Sequence, residues 1–389
     1  MSKKAKEKNC RLGAVGGQAV LEGVMMRHGT RCSVAVRREN GVITVSDSEF
    51  VSVRRKYKPL NLPIIRGVVN MVESLILSYR TLETSAEQFG LEEEEPKKKK
   101  KSDSEGGSEE EAAADVKNGE AADSSSEKKE NDSKLIGAVM VIAMIFGLGL
   151  GILLFMFLPT FVTGLLDTYF FKGLLGIELG WWRNLIEGLM KIVIFVMYLL
   201  LVSLMKDIRR TFEYHGAEHK SIFCYEAGEE LTPENVKKHS RFHPRCGTSF
   251  MFVIIIIGIL VSSLPFITWE NVFIRFATKL AMLPLIVGLG YEFIMVAGKH
   301  DNAVTRILSA PGLFIQRITT REPDLQQIEV AIHALKSSMP YVFPDFIPEL
   351  RIDGDREITR EEALAARSAD GEDGQESQDS RSSASGDGN

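Results

Sequence analysis

The residues best suited to chemistry by type and spacing are His215-Gly216-Ala217-Glu218-His219. On a helix, positions i and i+4 share a face, so both imidazoles leave the same side. Two such imidazoles can grip one divalent metal, with Glu218 beside them. H-x-x-E-H is an order in which paired histidines bind zinc and the glutamate activates water. The plainer reading is a pair of interfacial helix histidines hydrogen-bonded to their neighbours. Two histidines make half a site, because a catalytic zinc needs a third protein ligand and an open position. His243 and Cys246, in the same polar loop, are the best third ligands. His239 is weaker, since a helix-end histidine beside Lys237 and Lys238 is usually just solvated. Glu22 qualifies only if the glycine-rich segment around it folds over the motif.

The elements that must position this motif are apolar. Leu135 to Leu158 is 24 residues without a charge, enough to cross a bilayer. Leu185 to Met205 carries only Glu187 and Lys191, Thr248 to Ile267 carries no charge, and Leu280 to Gly298 contains Pro284 and Glu292. Soluble core helices rarely run so long without a polar face. Four transmembrane helices are therefore expected. Basic residues concentrate between 206 and 249, while the other connections hold few (Lys172, Arg183, Arg275). The positive-inside rule then places that loop and both termini in the cytoplasm, in a multi-pass inner (cytoplasmic) membrane protein. Thiols there stay reduced, so Cys224 and Cys246 are available as ligands. Glu292, inside a span, is either functional or paired with Arg245 or Arg306 near the interface.

The net charge of −5 over 389 residues averages a basic beginning and an acidic end. The Lys-rich start is not followed by the apolar core of a signal peptide. The four cysteines show no C-x-x-C spacing and no disulfide framework. Residues 10–60 combine a glycine-rich segment, in which Glu22 and Arg27 can pair, with a small β-element. Asn40-Gly41 signals a hairpin there, and Phe50 to Arg54 is a candidate third strand. Residues 61–90 read as an interfacial or bundle-packed helix beginning at Pro63. Residues 91–133 are a charged, disordered linker. Residues 134–299 hold the membrane helices and the His-bearing loop 206–249. The span ending near Met205 is expected to continue through His219 to Ala227, where Gly228 ends it. Thr232-Pro233 starts a further helix. Residues 300–350 form a helical segment, with Asp324 capping a helix to Lys336, and 351–389 a disordered acidic tail.

Four stretches resemble one family. They are Gly16 to Arg27 (GGQAVLEGVMMR), Tyr214 to Lys220 (YHGAEHK), His243 to Ser249 (HPRCGTS), and Leu313 through Thr319-Thr320-Arg321-Glu322-Pro323. In this order they resemble the YqhQ-like family of bacterial membrane proteins. The resemblance covers about residues 10–90 and 134–340. It implies a polytopic membrane architecture and a metal-dependent enzyme of unassigned function, and supplies no substrate.

The expectation is a mainly α, polytopic membrane bundle with a small N-terminal β-hairpin element. Its leading function is a metal-dependent hydrolase at the cytoplasmic membrane face, acting on a peptide or lipid-linked group. His215 and His219 hold a divalent metal, best matched by zinc, with His243 or Cys246 as third ligand. Glu218 takes the proton from water. The competing class is a non-catalytic scaffold or regulator whose metal, if any, is structural. The expected partners are the lipid bilayer and an unknown substrate or protein, without nucleic acid.

Overall fold

The computed structural model describes residues 15–90, 142, 145–180, 182–244, 246–264, 271–297, 303–354 and 356–366. The expected linker, residues 135–141, 143 and 144 of the first expected span and the end of the acidic tail lie outside these. The chain divides into two compact units. One comprises residues 1–93, 195–261 and 281–389, and the other 94–194 and 262–280.

The first unit is built on a sheet. β1 (Val15–Val20), β2 (Gly23–His28), β3 (Arg31–Arg37) and β4 (Ile43–Glu49) form an antiparallel meander. The glycine-rich segment thus forms strands, and the expected hairpin is one turn of a larger sheet. The Asn40-Gly41 turn lies between β3 and β4, with Gly41 at φ +86°. Phe50 to Arg54 is not a strand, because Val53–Arg55 winds into a 3-10 turn capped by Ser52. Two late strands, β5 (Leu350–Asp353) and β6 (Arg356–Thr359), extend the sheet, with β5 parallel to β4. They fall where the sequence suggested a disordered tail. Their alternation is too short and too polar to register against the acidic background.

Both faces of the sheet are covered. Helix α1 (Ile65–Phe89) lies on one side, where Leu77 joins Met25, Cys32, Val34 and Val36. The other helices follow in chain order: α2 (Ile145–Lys172), α3 (Trp182–Val202), α4 (Lys206–Ala227), α5 (Pro233–Lys237), α6 (Gly247–Ser262), α7 (Val272–Ala297), α8 (Ala303–Thr319) and α9 (Leu325–Ser338). On the opposite face, Val24, Met26 and Val45 meet Tyr214 and Ala217 of α4 and Ile328, Ala331 and Leu335 of α9. Asp324 caps α9 in a reciprocal capping box with Gln327. Double-sided burial explains why β2 carries the unbroken apolar run Val24-Met25-Met26 rather than an alternation.

Three helices are long and apolar enough to cross a membrane: Ile145–Lys172, Trp182–Val202 and Val272–Val296. The expected span at Thr248–Ile267 is a shorter helix, α6, of 16 residues. Pro265 follows closely, and the residue before a proline is pushed out of the helical region. The continuous helix expected through His219 is also interrupted. α3 ends at Val202, Met205 is extended, and α4 starts at Lys206 with Asp207 in its first turn. An acidic residue there suits the positive end of the helix dipole, so the sequence favours a fresh start.

Glu292 of α7 binds Arg66 of α1 through a two-pronged ion pair and accepts the N–H of Ile64. That partner replaces the expected Arg245 or Arg306. It holds Ile64 at φ +69°, a left-handed conformation unusual for a β-branched residue. Ile64 lies against Gly288, where an added Cβ would approach its carbonyl oxygen to 2.7 Å.

In the second unit, charges buried on apolar helices are paired. Glu187 accepts from Thr160 at 2.8 Å, from Lys279 and from Lys191 at 3.1 Å. Asp167 faces Arg183 at 3.2 Å. Pairing is what keeps buried charges tolerable in such surroundings.

Candidate metal centre

The motif lies on α4, whose segment Gly216–Ile222 is buried. Gly216 is there for space. A Cβ at this position would come within 2.0 Å of the Arg321 carbonyl oxygen. The glycine lets α4 lie directly on the segment 320–323, which donates the Arg321 N–H to the Phe212 carbonyl at 2.8 Å. Lys220, buried on the same helix, pairs with Glu322 at 2.6 Å. The Arg321-Glu322 motif therefore docks the backbone against α4.

This close approach aims the histidines. His215 Nδ1 lies 2.9 Å from the Thr319 carbonyl, and His219 Nδ1 lies 2.6 Å from the Arg241 carbonyl. Carbonyls only accept, so in the neutral rings each Nδ1 carries the proton and each Nε2 keeps a free lone pair. Main-chain carbonyls behind the other ring nitrogen are the usual outer support of metal-binding histidines. His215 Nε2 lies 3.2 Å from Cys246 Sγ. One donor atom each from His215, His219 and Cys246 lie within 4.8 Å of one another. Two imidazoles and a thiol gathered this closely fit zinc-type coordination.

Of the two expected third ligands, the structure joins Cys246 to the histidine pair. His243 does not belong to that trio. Its ring packs on Phe223 at 4.6 Å between centroids, and its Nε2 stands 4.0 Å from a Glu226 carboxylate oxygen. The His243 peptide is fixed by Gln316, which accepts its N–H and donates to its carbonyl, each at 2.8 Å. Gln316 is fully buried and has no counterpart in the sequence expectations. The same holds for the carbonyls of Thr319 and Arg241. A glutamine following the apolar run Leu313-Phe314-Ile315 of α8 was the one available signal.

Glu218 is buried and accepts the backbone N–H of Gly17 on β1. Gly17 must lack a side chain, because a Cβ would lie 3.1 Å from Glu218 Cγ and 2.6 Å from the Met25 carbonyl. Burial pushes the Glu218 acid up to about 7, against the pull of His215 and the Gly17 N–H. A carboxylate accepts several hydrogen bonds, so the Gly17 contact leaves capacity on the group. Glu218, His215, His219, His243 and Cys246 line a single cavity of about 690 Å³, whose far wall is Val15–Ala19 of β1.

Glu22 is outside the trio. It sits at φ +47° in the β1–β2 turn, pairs with Arg210 and accepts the Tyr214 hydroxyl at 3.2 Å. The expected Glu22–Arg27 pair is thus replaced. Arg27 donates to the Gly29 carbonyl and covers the Phe50 ring. His239 joins a second trio with Cys224 and Glu229. There its Nε2 lies 3.2 Å from Glu229, and burial pushes the Cys224 thiol up to about 11.

These features define a helical, membrane-type protein with a sheet-backed His/His/Cys centre. The chain belongs to a family described as protein of unknown function (DUF1385), whose model matches residues 62–340. It is 31% identical over 334 residues to the uncharacterized protein YqhQ of Bacillus subtilis (strain 168), covering 82% of this chain and 91% of that relative. No solved structure matches.

Proposed function

We propose that the protein is a membrane-embedded, metal-dependent hydrolase, working at the cytoplasmic face of the inner membrane with both termini on that side. In this reading α6 belongs to the fourth span expected at Thr248–Ile267. The observation that carries the proposal is the convergence of His215, His219 and Cys246 beside a buried Glu218 in one cavity. His215, His219 and Cys246 would hold a divalent ion, zinc by donor type. When bound, that ion supplies Lewis acidity toward water and toward a carbonyl or phosphoryl oxygen. The chain's own residues do the rest. Glu218 takes a proton from water and returns it to the leaving group. An acid held near 7 suits both directions at neutral pH. The Thr319 and Arg241 carbonyls fix the imidazole tautomers, and the cavity admits a peptide or lipid-linked group.

The test uses full-length protein in detergent. About one zinc, manganese or iron per chain is expected in wild type and in Glu218→Gln, and none in His219→Ala. Wild type should hydrolyse a component of peptide and lipid extracts that Glu218→Gln leaves intact. Metal absent from both wild type and His219→Ala would overturn the proposal. Metal present with no difference between wild type and Glu218→Gln would instead support the competing scaffold or regulator with a structural ion. Among the described residues the set has three donors rather than a closed four, which argues for the hydrolase.

A further inference from the structure

A second cavity, of about 350 Å³, is lined by Arg27, Thr30, Phe50, Ser52, Arg54, Arg55 and Asn61. None of these residues lines the cavity at His215. Its size falls in the usual range for small-ligand pockets, about 300–1,000 Å³. Its lining is unusual in charge. Three guanidinium groups face one space, and none is paired with a carboxylate among the described residues. Arg27 donates to the Gly29 carbonyl and stacks over Phe50 at 4.9 Å. Among the described residues Arg54 reaches neutral acceptors, the hydroxyls of Ser52 and Tyr291 and the amide of Asn70. Arg55 is exposed and makes no ion pair among the described residues. The carboxylate beside this cluster, Glu73, is buried, and its oxygens are occupied by the Ser52 hydroxyl and the Val53 N–H.

Unpaired guanidinium groups with hydroxyl and amide donors match a phosphate. Their planar forks bind its oxygens two at a time, and their charge needs an anion. Two further observations select the kind of phosphate. The stretch 50–66 carries five cations, Arg54, Arg55, Lys56, Lys58 and Arg66, and no acid. Large apolar side chains around the pocket face outward, with Val51 57% exposed, Tyr57 51% and Leu62 54%. A soluble phosphate compound needs no apolar rim. A lipid needs both, with its headgroup among the arginines and its chains along the apolar rim. Basic clusters next to membrane helices attract anionic headgroups in this way.

We infer that this cavity is a binding site for the phosphate headgroup of an anionic phospholipid, held by Arg27, Arg54 and Arg55 with Val51, Tyr57 and Leu62 against the acyl region.

The test is native mass spectrometry of the full chain released from nanodiscs containing equal parts phosphatidylglycerol and phosphatidylcholine. Wild type should retain phosphatidylglycerol in preference to phosphatidylcholine. Each cation near a membrane surface contributes about fivefold in affinity. Arg27→Gln/Arg55→Gln should therefore cut retention by roughly 25-fold. Arg55→Gln alone changes an exposed, unpaired side chain, so it tests the site without risk to folding, and should cut retention about fivefold. Arg80→Gln, an exposed arginine elsewhere on α1, should change nothing. Equal retention of the two lipids, no loss in either variant, or an equal loss in Arg80→Gln would overturn the inference. Inorganic phosphate is titrated into detergent-purified protein as a second arm. Arginine-dependent phosphate binding without phosphatidylglycerol enrichment would make the ligand a soluble phosphate and overturn the lipid assignment.

Discussion

Gly216→Ala is the sharpest test of how the candidate centre is assembled. In an open helix interior, replacing glycine by alanine stabilises by about 1 kcal/mol. At this position the new methyl would lie 2.0 Å from the Arg321 carbonyl oxygen and 3.3 Å from Pro323. The clash is with main chain, so no rotamer change relieves it. Either α4 or the 320–323 segment must move by an ångström or more. Overpacking of this kind costs about 1–3 kcal/mol, and rigid backbone on both sides puts it at the upper end. The net effect expected is about 2 kcal/mol of destabilisation, against the propensity gain. The displaced segment directly follows Thr319, whose carbonyl supports His215. Loss of such outer support usually costs roughly 10–100-fold in metal affinity. Thermal unfolding in detergent and zinc competition against a chromophoric chelator read the two effects. Gly258→Ala, on α6, is the control, because its Cβ would meet Ile286 at an ordinary 3.8 Å. It should be neutral or stabilising. A Gly216→Ala protein as stable as wild type, with unchanged zinc affinity, would refute the packing argument.

Three further outcomes follow from the same contacts. Gln316→Ala removes both side-chain bonds to the His243 peptide, whose carbonyl keeps the Cys246 N–H at 3.3 Å; this should cost about 1–3 kcal/mol in denaturant unfolding and loosen the loop that carries Cys246. Zinc at a hundred times its Kd should raise wild-type stability by about 2.7 kcal/mol, an increment that a chelator removes and His219→Ala lacks. His333, packed edge-on against Phe346, has its pKa lowered by burial; Glu329 and Glu349 act against this, and Lys336 and Arg37 with it. Its folded-state pKa lies below its unfolded value of about 6.5. Its contribution is therefore complete above that pH and is lost as pH falls toward the folded value. His333→Leu should flatten the stability profile below about pH 6.5, and an unchanged slope would remove His333 as the cause.

What the chain reveals about itself divides along a physical line. The paired histidines were legible because helical periodicity places side chains at i and i+4 on one face, whatever surrounds them. Gly228 as the end of α4 and Thr232 as the start of α5 were legible for the same local reason. The sheet was legible only in part: the alternation at Cys32–Arg38 and Val42–Ser46 and the Asn40-Gly41 turn mark the β3–β4 hairpin, while the glycines of β1 and the run Val24-Met25-Met26 of β2 give no alternation. The choice between His243 and Cys246 was not legible. Both sit in one loop, and Gln316, 73 residues away, fixes how that loop is held. The supports of the centre are almost all main chain: the Thr319 and Arg241 carbonyls and the Gly17 N–H. Main-chain groups have no residue code, so their only trace in the sequence is permissive. Glycine appears where another backbone or the Glu218 side chain comes close, at 216 and at 17. The glycine within H-G-A-E-H and Gly17 of the first strand are therefore part of the centre in the same sense as its histidines. Substitutions at either should weaken metal binding without removing a ligand.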